Sequence, residues 1–177
     1  MAAFTVIDHT EISTGGAAYW EETGISSSYD HLLIKASIRG EKTGEYVDSG
    51  SIRFNGLTSS VYSSTTLKAK TATPDSAREG ARNSMDYIFW PGASALADTF
   101  GSMTVWIPHY ANTANFKQAI ISTVSPNNSA SDNEWGMLVT AGLFAATAAI
   151  SEVKIFSGHG TDLAEFSTIT LYGVTGA

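Results

Sequence analysis

Short segments in which apolar and polar residues alternate recur along the chain, separated about every dozen positions by clusters of Gly, Asn, Asp, Ser or Pro. Leu32 to Ile38 shows the pattern best: Leu32, Ile34, Ala36 and Ile38 share one face, while Lys35, Ser37 and Arg39 take the other. The first face is expected in a core. The same alternation marks Ile52 and Phe54, then Met103, Val105 and Ile107, then Val153 and Ile155, and finally Ile169 and Leu171 as inward rows. Further strands are predicted at Val61 to Ala69, Asp86 to Trp90, Phe116 to Thr123, Trp135 to Val139 and Phe4 to Asp8. Turns fall at Asn55-Gly56, Pro91-Gly92, Ser125 to Asn128 and Gly158-His159-Gly160. Ala72 to Ser84 and Glu41 to Gly50 are polar and aperiodic and read as exposed excursions, and Gly142 to Ile150 reads as a loop. The expected fold is all-β: one antiparallel β-sandwich, jelly-roll-like, of about nine or ten strands. It occupies residues 1–177 as one domain, with residues 1–16 an N-terminal arm or an edge strand.

Composition agrees with that pattern and narrows the function. Charged residues make up only 15 % of the chain, against ~25 % in typical soluble domains. Polarity comes instead from 22 Ser and 20 Thr, with 16 Gly, residues that suit strands and turns better than helices. The net charge is −7 and the 10 Lys and Arg are scattered, so no basic stripe is available for a phosphate backbone, and nucleic acid is not an expected partner. Acidity and the lack of any apolar run near ~18 residues argue against a membrane partner. Met1 to Thr10 carries neither the basic region nor the apolar stretch of a secretory signal, which predicts a protein made in a cytoplasm. Without cysteine, disulfides and thiolate metal sites are excluded.

Candidate chemistry is sparse. Gly-x-Ser-x-Gly, His-Glu-x-x-His and phosphate-loop patterns are missing, and Gly40-Glu41-Lys42-Thr43 lacks the leading glycine of a phosphate loop. His9, His31, His109 and His159 lie far apart in sequence, none at metal-ligand spacing from another. Asp8-His9 with a serine is too common a combination to define a triad. Glu21-Glu22 points its carboxylates to opposite faces of a strand, and Asp132, Asn133 and Glu134 read as a turn before a calcium loop. The expectation is a protein that is not an enzyme and needs no cofactor or metal. Trp20, Trp90, Trp106 and Trp135 remain, with two readings: core or subunit packing, and sugar stacking. Trp106 lies opposite the Met103, Val105 and Ile107 face of its strand, making it the candidate for a second buried face or a subunit interface.

Ser51-Ile52-Arg53-Phe54-Asn55-Gly56, followed by Val61-Tyr62-Ser63, resembles a signature of tailed-phage virion proteins that reads Phe-Asn-Gly-Asp and then Asn-Tyr-Ser. Leu57 and Val61 stand where that pattern carries Asp and Asn. Val105-Trp106-Ile107-Pro108-His109-Tyr110, leading through Asn112-Thr113 to Lys117, is similar as well, as are Ser28 to Leu32 and Ile169 to Val174. The resemblance implies a β-sandwich structural subunit of the virion. The chain has no repetitive or coiled-coil shaft, which favours a capsid decoration (cement) protein on the outer surface of the head over a fibre. Its expected partners are the major capsid protein and further copies of itself, as a homotrimer, because closed symmetry multiplies one contact patch into several. Phe4, Val6, Ile7 and Trp106 are the expected contact residues. The alternative is a carbohydrate- or receptor-binding module of a phage tail or head fibre.

Overall fold

The computed structural model describes residues 3–69, 74–129 and 136–176. These form twelve strands: β1 (Ala3–Glu11), β2 (Tyr19–Thr23), β3 (His31–Ile38), β4 (Val47–Phe54), β5 (Tyr62–Ala69), β6 (Pro74–Arg82), β7 (Met85–Pro91), β8 (Gly101–Pro108), β9 (Lys117–Val124), β10 (Met137–Phe144), β11 (Glu152–Ser157) and β12 (Thr168–Thr175). Two antiparallel sheets result, an eight-stranded one in the order β1-β12-β3-β8-β9-β10-β5-β6 and a four-stranded one in the order β2-β11-β4-β7. No helix occurs among the described residues.

Eight of the strands pair as nested partners. β1 pairs with β12, β2 with β11, β3 with β8, and β4 with β7. Successive pairs alternate between the sheets, so the chain behaves as one long antiparallel ribbon wound on itself, which is jelly-roll connectivity. The β5–β6 and β9–β10 segments are insertions in that ribbon. They join through the β5–β10 pairing and widen only the larger sheet.

The inward rows expected from alternation are the core. Leu32, Ile34, Ile38, Ile52, Phe54, Val105, Ile107, Val153, Ile155, Ile169 and Leu171 are fully buried, and Ala36 packs against them. Over the widened part of the larger sheet the inward residues become small and hydroxylic, with Ser64, Thr66, Thr140 and Gly142 all buried. That lets β7 approach closely. A Cβ at Gly142 would run into the Met85 sulfur, and one at Gly50 would lie within the Trp90 ring.

Three segments differ from expectation. Within the expected excursion Ala72 to Ser84, whose first two residues lie outside the described ones, Pro74–Arg82 is the edge strand β6, and Glu41 to Gly50 contributes the start of β4 from Val47. β6 hides from a periodicity reading because neither face is buried. β10 runs to Phe144, so the loop expected from Gly142 begins three residues later, at Ala145. The short β2 also escapes detection, since only Trp20 of its residues is buried. These additions raise the strand number from nine or ten to twelve. The Trp135 end of the expected strand lies outside the described residues.

Replacing Gly50 with Ala is expected to lower stability by about 1–3 kcal/mol, because the added methyl must displace the Trp90 indole from a close-packed core. Gly80→Ala, where a Cβ meets open space, is the control. Urea melts of the two variants check this, and equal midpoints would show that β4 and β7 do not pack as described.

Candidate functional site

The outward face of the eight-stranded sheet carries an apolar row in direct cross-strand register. Val6 lies opposite Tyr172, Tyr172 opposite Leu33, Leu33 opposite Trp106, Trp106 opposite Ile120, and Ile120 opposite Ala141. No charged residue interrupts it. The nearest cation, Lys35, sits one row away and donates from Nζ to Thr104 Oγ1 at 2.9 Å. Beyond β8 the apolar surface broadens: Val124 pairs with Met137, and Val139 pairs with Leu67. Exposure there reaches 54 % at Ile120, 54 % at Met137 and 66 % at Leu67, high values for side chains of this kind clustered on one face.

The expected contact residues divide. Phe4 and Val6 stand on the outer side of β1, at 58 % and 55 % exposure, with the Phe4 ring edge-on to Tyr172 at 6.4 Å. β1 is an edge strand paired along its length with β12. Alternation after Val6 turns Ile7 inward, where it packs on the core, and a register shift between Val6 and Asp8 puts Asp8 on that side too; Ile7 belongs to the fold. Trp106 faces outward in the middle of the apolar row, half-buried, with its ring 4.8 Å from that of His31. Trp20 and Trp90 are core residues, and Asp132, Asn133, Glu134 and Trp135 lie outside the described residues.

The histidines are not all apart, as sequence distance implied: β3–β8 pairing brings the His31 and His109 rings to 4.9 Å, and His31 Nδ1 accepts the backbone N–H of His109 at 3.1 Å. Asp8 and His9 serve different partners. Asp8 Oδ2 accepts from Trp20 Nε1 at 3.1 Å and Thr10 Oγ1 at 2.8 Å, while His9 Nδ1 meets Thr170 Oγ1 at 2.8 Å. Glu21 pairs with Lys154 at 3.2 Å, and Glu22 turns toward Asp8, where burial and that carboxylate raise its pKa.

Tyr62, Asn55, Tyr110 and Lys117 hold the ends of strands together. Tyr62 Oη bridges both backbone groups of Phe54, accepting from its N–H at 2.9 Å and donating to its carbonyl at 3.0 Å. Burial pushes that phenol's pKa up. Asn55, in a left-handed conformation ahead of Gly56, donates to the Ala149 carbonyl at 2.8 Å and accepts from the N–H groups of Ser151 and Glu152. Tyr110 Oη donates to the Ser26 carbonyl. Lys117, almost wholly buried, donates to the carbonyls of Asn115 and Thr147 at 2.8 and 3.0 Å, and burial lowers its pKa. Each satisfies backbone groups that would otherwise be stranded away from water.

The exposed apolar cluster of Ile120, Val124, Met137, Val139 and Leu67 was not singled out from the sequence, although the chain carried a signal. Ala119-Ile120-Ile121 and Met137-Leu138-Val139 are apolar without alternation, as in strands covered on both faces.

Tyr62→Phe strands the buried N–H of Phe54, whose carbonyl still accepts from the Leu57 N–H at 3.1 Å, so a loss of about 1–3 kcal/mol is expected, without any change in association state. Calorimetry together with light scattering checks both halves. No protein-family model matches the chain, and no curated protein matches it.

Proposed function

We propose that this chain is a structural subunit of a phage virion that decorates the outer surface of the capsid. It is not an enzyme in this reading: it joins neighbouring capsomers by contact alone. The observation that carries the reading is the uncharged row from Val6 to Ala141 with the apolar corner beside it. Interfaces are set apart from ordinary surface by just such depletion of charge and enrichment of Trp, Tyr and Met at their centres. Burying one of these side chains on association contributes up to about 1.5–3 kcal/mol.

The corner formed by Ile120, Val124, Met137 and Val139 covers a second copy of the chain, closing a homotrimer. Phe4 and Val6, at the free edge of β1, face the capsid, where the unpaired side of that strand can accept a strand of the major capsid protein. Three such edges on one trimer bind far more tightly than one, so weak individual contacts suffice. The signature shared with tailed-phage virion proteins supports the same reading.

Ile120→Asp places a carboxylate in the middle of the row and is expected to convert the trimer to monomers in light scattering, with an unchanged far-ultraviolet spectrum. A wild-type chain that is already monomeric would remove the trimer. Electron microscopy of purified particles decides the location: density for the subunit at capsomer junctions supports decoration. Density confined to the tail tip would overturn it in favour of the receptor-binding alternative.

A further inference from the structure

The opposite side of the sandwich holds an open cleft of about 700 Å³. Its floor is the outward face of the four-stranded sheet, and its side wall is β6, the edge strand of the other sheet. Strand alternation aims Phe89 and Phe156 outward, because Ile88, Trp90 and Ile155 beside them are buried. Ser49, Ser51 and Gly158 are the small residues that leave room over this floor.

Two bulges build the active edge of the cleft. Pairing of β4 with β7 shifts register between Gly50 and Ile52, and Tyr87 there has φ of 63°. Between the inward Met85 and Ile88 the strand therefore presents two successive residues, Asp86 and Tyr87, to the cleft. Pairing of β5 with β6 shifts between Tyr62 and Ser64, with Ala81 at φ of 53°, and brings Glu79 and Arg82 to the same place. A left-handed Tyr costs on the order of 1–3 kcal/mol and persists only where its surroundings hold it. Here they do: Tyr87 Oη donates to Glu79 at 2.9 Å, and Arg82 Nε lies 3.0 Å from Asp86 and 3.8 Å from Glu79. Ser51 and Ser84 hydroxyls both donate to Asp86 at 2.8 Å.

The charges of the lining cancel. Lys42, Arg53 and Arg82 face Glu45, Glu79 and Asp86, so neither an anion nor a cation is selected. What remains is a set of planar, hydrogen-bonding groups fixed by one another beside half-buried aromatic rings, Tyr87 and Phe89, whose centroids are 6.4 Å apart. We infer that this cleft binds a short, uncharged oligosaccharide. The Phe89 and Tyr87 rings, Tyr87 with Lys68 Nζ 4.9 Å over it, flank the apolar side of the sugar, and the Arg82–Asp86–Glu79 network, with Asn83, takes its hydroxyls. The cleft lies on the other sheet from the apolar row, so a subunit docked through that row keeps it open to solvent. The inference goes beyond the decoration reading and does not depend on it.

Saturation-transfer NMR on the full chain with uncharged glucose, galactose, mannose and rhamnose trisaccharides, and with a sulfated trisaccharide, tests it. Saturable binding of at least one uncharged sugar is expected, weakened at least tenfold by Phe89→Ala and by Arg82→Ala and unaffected by Ile120→Asp. Arg82 is half exposed, so its variant reports on binding even if loss of Phe89 disturbs the sheet. Melting curves of each variant identify any that fail to fold. Binding of the sulfated sugar alone, binding unchanged in a folded Arg82→Ala protein, or no binding across the panel would each overturn the inference.

Discussion

The close seating of β7 on the larger sheet is the contact on which the rest of the molecule depends. A four-stranded sheet is narrower than an eight-stranded one, and β7, its edge strand, lies over β9, β10 and β5, across the boundary where the larger sheet widens. It reaches across that boundary through residues with little or no side chain beneath it. Across the sheets Met85 lies on Gly142 and Thr140 Oγ1 donates to the Tyr87 carbonyl at 3.1 Å, while within the smaller sheet Trp90 fills the space that a Cβ at Gly50 of β4 would take. Thr66 Oγ1 bonds Thr140 Oγ1 at 2.8 Å and completes a polar seam where apolar packing runs out. Interiors pack as densely as organic crystals, so these glycines and hydroxyls are as much part of the core as its isoleucines.

Such a seam restricts where charge can go. Among the described residues the one lysine and the one aspartate that are buried carry hydrogen-bonding duties. Lys117 closes the turn before β9. Asp48 accepts from the Ser49 N–H at 2.8 Å, from Ser157 Oγ at 3.3 Å and from Thr161 Oγ1 at 3.0 Å, and meets His159 Nδ1 at 2.9 Å. That cluster holds the turn after β11 against β4 and so sets one end of the cleft. A buried carboxylate without those partners would cost several kcal/mol.

The two sheets thereby acquire opposite outward characters. β9, β10 and β5 extend a sheet whose inner face β7 already covers, and their outer face is left with Ile120, Val139 and Leu67 in the open. On the smaller sheet the same β7 bends outward at Tyr87, and its strain is held by the Tyr87–Glu79 hydrogen bond and the Arg82–Asp86 ion pair to β6. One strand thus determines both an apolar face fit for association and a polar cleft fit for a ligand.

Much of the frame was legible in the chain itself. Alternation of period two named the inward rows from Leu32 to Leu171 and the β-sandwich they imply, because burial on one face of a strand leaves that imprint regardless of what the strand pairs with. Asn55-Gly56 announced its turn for the same local reason, a need for left-handed backbone. The outward position of Trp106 followed from its neighbours. Tertiary structure alone decided the rest. β6 and β2 bury too little to leave a pattern, and Asp8 joins Ile7 on the inner side through a bulge that exists only in the pairing with β12. His31 and His109, Val6 and Ile120, and Arg82 and Asp86 become neighbours or members of one row through strand order and register. Those are properties of how the ribbon winds, and no single segment of it records them.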